Sequence, residues 1–258
     1  MRRGAIAAAT LLVAATALAV SPAFAAFDVT VYQGFNTADT LSGSVGGEFQ
    51  IVTTWGDYVD PAVYESSYLN HKAGYAGSGF REPDDFDFAT FCVQRFEYLS
   101  YGGTYQANLS NQTNLGVPLD DGAAALYKLW YMGNLDGYDY GDETTGRETD
   151  AMYLQRLIWW RMGQLTDHGI DLDSSASDLG IAEGSKYEDW YNTAVDLSHM
   201  GDWGVKVMQL GSIADPHQDL LVLTVDGSVP NVPEPGTIAL LATGGLGMLP
   251  LLRRRRTT

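Results

Sequence analysis

A second cysteine is missing from this chain: Cys92 stands alone among 258 residues, so no internal disulfide can form and a packed core must hold the fold. Basic residues are scarce too. Lys and Arg number 15 against 32 Asp and Glu. Six of the 15 sit at the ends, as Arg2, Arg3, Arg253, Arg254, Arg255 and Arg256, which leaves the intervening body more acidic than the formal charge of −17. Such a surface repels phosphate backbones and argues against nucleic acid as a partner. The histidines, His71, His168, His199 and His217, include no helical pair, so no zinc site is indicated. Asp136, Asp139, Asp142 and Glu143 crowd one segment and Asp171 and Asp173 form a D-x-D pair. Neither follows the twelve-residue calcium-loop pattern, and solvated acidic loops are expected. No G-x-S-x-G elbow or P-loop occurs, so hydrolase and nucleotide chemistry lack their signatures and no cofactor is expected.

What is present begins at the two ends. Met1, Arg2 and Arg3 precede an apolar run and then Ser21, Pro22, Ala23, Phe24, Ala25 and Ala26, the layout of a cleavable signal peptide over 1–26. The alternative, a spanning anchor, is disfavoured by the Ala-rich run, Pro22 and the small residues at the cleavage position. At the other end Val232, Pro233, Glu234, Pro235 and Gly236 close a linker over 229–236, followed by an uncharged stretch over 237–252 and a basic tail over 253–258. That stretch makes a helix of about 24 Å, marginal against a hydrocarbon core of roughly 30 Å. A short transmembrane helix is the expectation, with Arg253, Arg254, Arg255 and Arg256 held in the cytoplasm and the body outside the inner membrane. Gly244, Gly245, Gly247 and Pro250 suit a transient stop-transfer segment better than a packed anchor.

The order Val-Pro-Glu-Pro-Gly, short apolar span and arginine cluster resembles the PEP-CTERM sorting signal of exosortase substrates. The resemblance implies cleavage near Pro233 to Pro235 by an exosortase-type processing protease. It further implies passage from the inner membrane to the cell surface or an exopolysaccharide matrix in a biofilm-forming Gram-negative bacterium. An ordinary tail anchor is the alternative.

The body, 27–228, is long enough for one domain. Alternating apolar and polar residues with β-branched enrichment predict strands over 27–32 and 47–55, and 61–83 reads as irregular. A strand over 89–98 is expected to turn back as a hairpin through 100–105. Helices are predicted over 120–132, capped by Asp120 or Asp121 and stopped by Gly133, and over 150–162, capped by Thr149 or Asp150 and stopped by Gly163. A third helix over 186–200 and strands over 205–210 and 219–225 complete the domain. The fold class is therefore α+β, a β-sandwich or barrel-like sheet with an inserted helical subdomain.

On the second helix Ala151, Met152, Gln155, Ile158, Trp159 and Met162 share one face, so Gln155 is the single amide on an apolar stripe. A buried amide without partners costs roughly 1–3 kcal/mol. Cys92 lies between Phe91 and Val93 on a predicted strand, and a lone thiol in an exported chain asks for a reason. One chemistry uses both: the thiolate attacks the glutamine carbonyl, ammonia leaves and a thioester remains. At these residues the body resembles the thioester domains of bacterial surface proteins, through Phe91-Cys92-Val93 and Leu154-Gln155-Arg156-Leu157-Ile158-Trp159. It departs from that pattern at Gln94, where an aromatic or apolar residue is usual. The resemblance implies a Cys92–Gln155 cross-link in a pocket walled by Phe91, Trp130, Trp159 and Trp160. It also implies a single-use acylating group, not a turnover enzyme, directed at an amine-bearing protein or polysaccharide of the surface or matrix. The alternatives are a buried cysteine with a glutamine hydrogen-bonding across the core, and a non-covalent structural or glycan-binding matrix protein.

Overall fold

The computed structural model describes residues 27–38, 41, 44–53, 88–140, 144–212 and 215–224. The predicted signal peptide, the 61–83 segment, the sorting motif, the apolar stretch and the arginine cluster lie outside these residues. Among the described residues no helix is long and apolar enough to cross a membrane. The described residues form one compact unit.

Seven strands are present among the described residues: β1 (Phe27–Ala38), β2 (Val45–Thr53), β3 (Phe88–Thr90), β4 (Thr104–Ser110), β5 (Val205–Ser212), β6 (Asp215–Pro216) and β7 (Leu220–Leu223). All pairings are antiparallel, in the order β3-β2-β1-β4-β5-β6, with β7 also on β5. The sheet then nearly closes on itself. Just past β3, Leu221 N–H donates to the Phe91 carbonyl at 3.0 Å and Val93 N–H to the Asp219 carbonyl at 2.9 Å, placing Cys92 opposite Leu220. The result is a barrel-like sheet whose seam runs through Cys92.

Three helices, α1 (Asp121–Tyr131), α2 (Thr144–Arg161) and α3 (Lys186–Asp196), occupy the connection between β4 and β5. On β1 the alternation is plain: Phe27, Val29 and Val31 are buried while Asp28, Thr30 and Tyr32 are half-buried. On β2 every residue from 46 to 51 is buried, because α2 covers the face that would otherwise meet water. The polar side chains there are matched from the helix: Glu48 accepts from Arg147 Nε at 2.9 Å and Nη2 at 2.8 Å, with both side chains almost fully buried. Tyr138 donates to the same carboxylate.

The helix ends follow local chemistry. Asp120 accepts from Gly122 N and Ala123 N and caps α1. Its carboxylate also pairs with Arg161 in the last turn of α2, at 2.7 Å to each oxygen, so one residue caps one helix and fastens another. Gly133 and Gly163 stop α1 and α2 at φ of 72° and 67°, the left-handed geometry that glycine adopts without strain.

Three expectations are corrected. The helix predicted over 150–162 begins at Thr144, because Asp150 is no cap: its carboxylate takes Asp139 N–H, Lys186 Nζ and Tyr187 OH. The helix over 186–200 ends at Asp196. The hairpin through 100–105 does not join β3 to β4. β3 is three residues long, and β4 pairs with β1 and β5, since Gly102 and Gly103 exchange hydrogen bonds with Val31 of β1 and the chain after Cys92 is drawn to β7.

Candidate functional site

Cys92 sits where the chain leaves β2 for β7, and Gln155 projects from the middle of α2. Separated by 63 residues, they meet atom to atom. The Cys92 thiol donates to Gln155 Oε1 at 3.2 Å, and the Cys92 backbone N–H donates to the same oxygen at 3.2 Å. Gly47 N–H adds a third donor at 3.4 Å. In return Gln155 Nε2 donates to the Cys92 carbonyl at 2.6 Å. Cys92 is 0% and Gln155 1% exposed, so the pair is dry and the amide's orientation is set by partners on both of its ends.

Two adjacent glycines make this approach possible. A Cβ on Gly46 would lie 2.6 Å from Gln155 Cγ and 2.7 Å from Trp159 Cη2, closer than packed atoms tolerate. Gly47 holds φ at 132°, a backbone region that glycine enters freely and other residues avoid. The β1–β2 register slips here, between Gln33 opposite Phe49 and Asn36 opposite Gly47. A bulge of this kind re-aims local groups and frees an N–H from the ladder. The signal in the sequence was the Gly46-Gly47 pair directly before Glu48, at the start of the strand predicted over 47–55, where glycine marks a bulge or a close approach.

The walls divide. Trp159, one helical turn beyond Gln155, packs with it over Gly46, fully buried, and its indole N–H has no acceptor at hydrogen-bond geometry. Phe91 meets Trp130 edge to face at 4.6 Å, an arrangement worth about 0.5–1.5 kcal/mol beyond burial. Trp130 belongs to a cluster with Tyr127, Tyr131 and Tyr138. Trp160, predicted as a wall of the same pocket, is directed elsewhere. One residue further along α2 turns it by about 100°; its N–H donates to the Asp171 carbonyl at 2.7 Å and its ring stacks on Tyr191 at 4.6 Å.

Gln94, the departure from the expected pattern, locks the seam: its Oε1 accepts Asp219 N–H at 2.8 Å and its carbonyl accepts Gln218 Nε2 at 2.7 Å. Arg95 continues the fastening. It forks onto Asp167 at 2.6 and 2.8 Å and donates to Ser44 Oγ and the Gln164 carbonyl, which holds the Asp167 carboxyl below its ordinary value.

Burial pushes the Cys92 thiol well above its ordinary pKa, while the neighbouring Trp159 N–H and the Cys92 backbone pull it back in part. At neutral pH the sulfur therefore carries its proton, in agreement with its donation to Oε1. Three donors converge on the amide oxygen, where negative charge would grow if sulfur added to the amide carbon. Fixed backbone N–H groups aimed at such a position form an oxyanion hole. Among the described residues no cluster of His, Cys, Asp and Glu could hold a metal ion.

A separate cleft of about 420 Å³ is lined by Phe49, Arg95, Phe96, Tyr98, Tyr101 and Gln218, among others. Phe96, Tyr98 and Tyr101 are 58%, 84% and 47% exposed.

Residues 231–256 match the PEP-CTERM protein-sorting motif. A motif of that kind marks an exported protein directed to processing by a membrane-associated exosortase. No curated protein and no solved structure matches the chain.

Proposed function

We propose that this exported protein is a covalent adhesin whose Cys92 and Gln155 condense to a thioester that acylates an amine on a surface or matrix partner. The supporting observation is the convergence of the Cys92 thiol, Cys92 N–H and Gly47 N–H on the Gln155 amide oxygen. In the first step the S–C bond forms and the C–N bond breaks, and the thiol proton leaves with the amide nitrogen as ammonia. The backbone donors stabilise the intervening oxyanion, and the buried setting keeps water from hydrolysing the product. An incoming amine then takes the Gln155 acyl group and returns Cys92 as a thiol. Because the glutamine is consumed, each molecule reacts once and does not turn over.

In the same reading a signal peptide over 1–26 and a short membrane segment over 237–252 place the body outside the inner membrane. Exosortase cleavage near Pro233 to Pro235 then delivers it to the surface or an exopolysaccharide matrix. The arginines 253–256 stay on the cytoplasmic side.

The test is the intact mass of the purified chain, which should be lower by one ammonia, about 17 Da, with methylamine restoring mass at Gln155 and Cys92→Ala abolishing both effects. A full mass with freely alkylated Cys92 sinks the covalent function. A second reading, non-covalent glycan binding, is favoured by the exposed aromatic rim of Phe96, Tyr98 and Tyr101, since such rings stack on sugar faces. Loss of matrix-polysaccharide binding in Tyr98→Ala, with the Cys92→Ala chain still binding, would favour it.

A further inference from the structure

Trp159 is conspicuous among the groups around Cys92 because it brings a polar atom with no use in the resting state. Its indole is fully buried and its N–H meets no acceptor at hydrogen-bond geometry, a deficit that costs about 1–3 kcal/mol. A phenylalanine would fill an apolar wall without that cost. The ring is not loosely placed either. Trp159 follows Gln155 by four residues on α2, so both side chains leave the helix on one face. Both press on the same point above Gly46, with Trp159 Cη2 and Cζ2 at 2.7 and 3.0 Å and Gln155 Cγ at 2.6 Å from where a Cβ would stand. The indole thus packs beside the Gln155 side chain over Gly46, and its N–H is the neighbouring side-chain group that draws the Cys92 thiol partly back from the rise that burial imposes.

The oxygen and sulfur sides of the site are served differently. Gln155 Oε1 already has two backbone donors. Near the sulfur stand the Trp159 N–H, short of hydrogen-bond geometry, and the Cys92 backbone, and the sulfur needs a full donor only when it carries negative charge. That happens as it loses its proton to attack the amide, and again when the tetrahedral adduct with an amine expels it.

We propose that Trp159 is a catalytic residue of the Cys92–Gln155 site, its indole N–H donating to the Cys92 sulfur whenever that sulfur becomes anionic. This rests on the thioester reading above. In formation, Trp159 N–H stabilises the sulfur while its proton passes to the departing ammonia. In acyl transfer, the C–S bond breaks with its electron pair on sulfur, Trp159 N–H receives that charge, and the proton shed by the attacking amine finally restores the thiol. Trp159 keeps its own proton throughout.

The experiment uses the full chain with Trp159 replaced by benzothienylalanine, which keeps the bicyclic shape and exchanges N–H for sulfur, beside Trp159→Phe. Wild-type chain lacking the mass loss of one ammonia sinks the thioester reading itself. With that loss present in wild type, the benzothienyl variant should react with methylamine at least tenfold more slowly, as for loss of one fixed donor. The Cys92 thiol it releases should be alkylated by iodoacetamide only at higher pH than in wild type. Unchanged rate and unchanged alkylation profile in the benzothienyl variant overturn the role of Trp159. A slow Trp159→Phe beside a wild-type-like benzothienyl variant also overturns it, by assigning the effect to packing alone.

Discussion

Replacing Gly46 by alanine tests whether the close approach of α2 to β2 builds the site. The added methyl would stand 2.6 Å from Gln155 Cγ and 2.7 Å from Trp159 Cη2, where ordinary carbon contacts need about 3.5–4.0 Å. Roughly 1 Å of separation must therefore be found. Neither neighbour yields easily: Trp159 is a rigid ring packed on all sides, and Gln155 is held at both ends of its amide by Cys92 and Gly47. The helix has to move, and Gly46→Ala should lose about 1–3 kcal/mol in urea denaturation, as overpacked cores do. A displacement of about 1 Å between reacting groups costs on the order of a hundredfold in rate, so formation of the ammonia-free species should slow by about that factor in a timed mass series. Wild-type stability together with wild-type reactivity in Gly46→Ala would refute the packing argument.

Further outcomes follow from other contacts. Arg147→Met removes the cationic partner of Glu48, whose side chain is 0% exposed, and should cost about 3–5 kcal/mol in chemical denaturation. Restoring stability with a second change, Glu48→Leu, would separate the stranded charge from lost packing. Asp120→Ala removes a helix cap and the Arg161 pair at once, and should lower stability by about 1–2 kcal/mol, visible as a lower Tm. Burial pushes the Asp219 carboxyl up to about 7 despite the N–H donors of Asn114 and Leu210. The folded chain then keeps a proton that the unfolded chain releases near pH 4. Stability from this group is complete below about pH 4 and declines as pH rises to about 7. Urea midpoints of wild type and Asp219→Asn between pH 4 and 8 check this: the variant should lose the decline.

Some features were legible because local chemistry decides them. Asp120 before an alanine-rich run, Gly133 and Gly163 after apolar stripes, and Gln155 alone on an apolar face all point to their observed places, since capping, left-handed stops and helical period act within a few residues. Proximity of Cys92 to Gln155 was legible by pairing one unmatched thiol with one unmatched amide. What escaped depends on partners distant in sequence. Glu48 and Gln50 read as the wet face of a strand, because nothing local announces that α2 will cover them. The role of Gly46 and Gly47 could not be read locally, because the need for them comes from Gln155 and Trp159 more than a hundred positions later. Trp160 was grouped with Trp159 as an apolar wall of the expected pocket, yet one residue of helical rotation sends it to Asp171 and Tyr191. The short β3 has the same origin: Gln94 and Arg95 are taken by Gln218 and Asp219, just before β7, and by the Gln164 to Asp167 segment.

The most direct test of the central claim is the intact mass of the purified chain under non-reducing conditions, before and after an alkylating agent. A Cys92–Gln155 thioester predicts a mass lower by one ammonia, about 17 Da, and no alkylation of Cys92 until methylamine is added. A full calculated mass, with Cys92 alkylated in the unfolded chain without any amine, would contradict it.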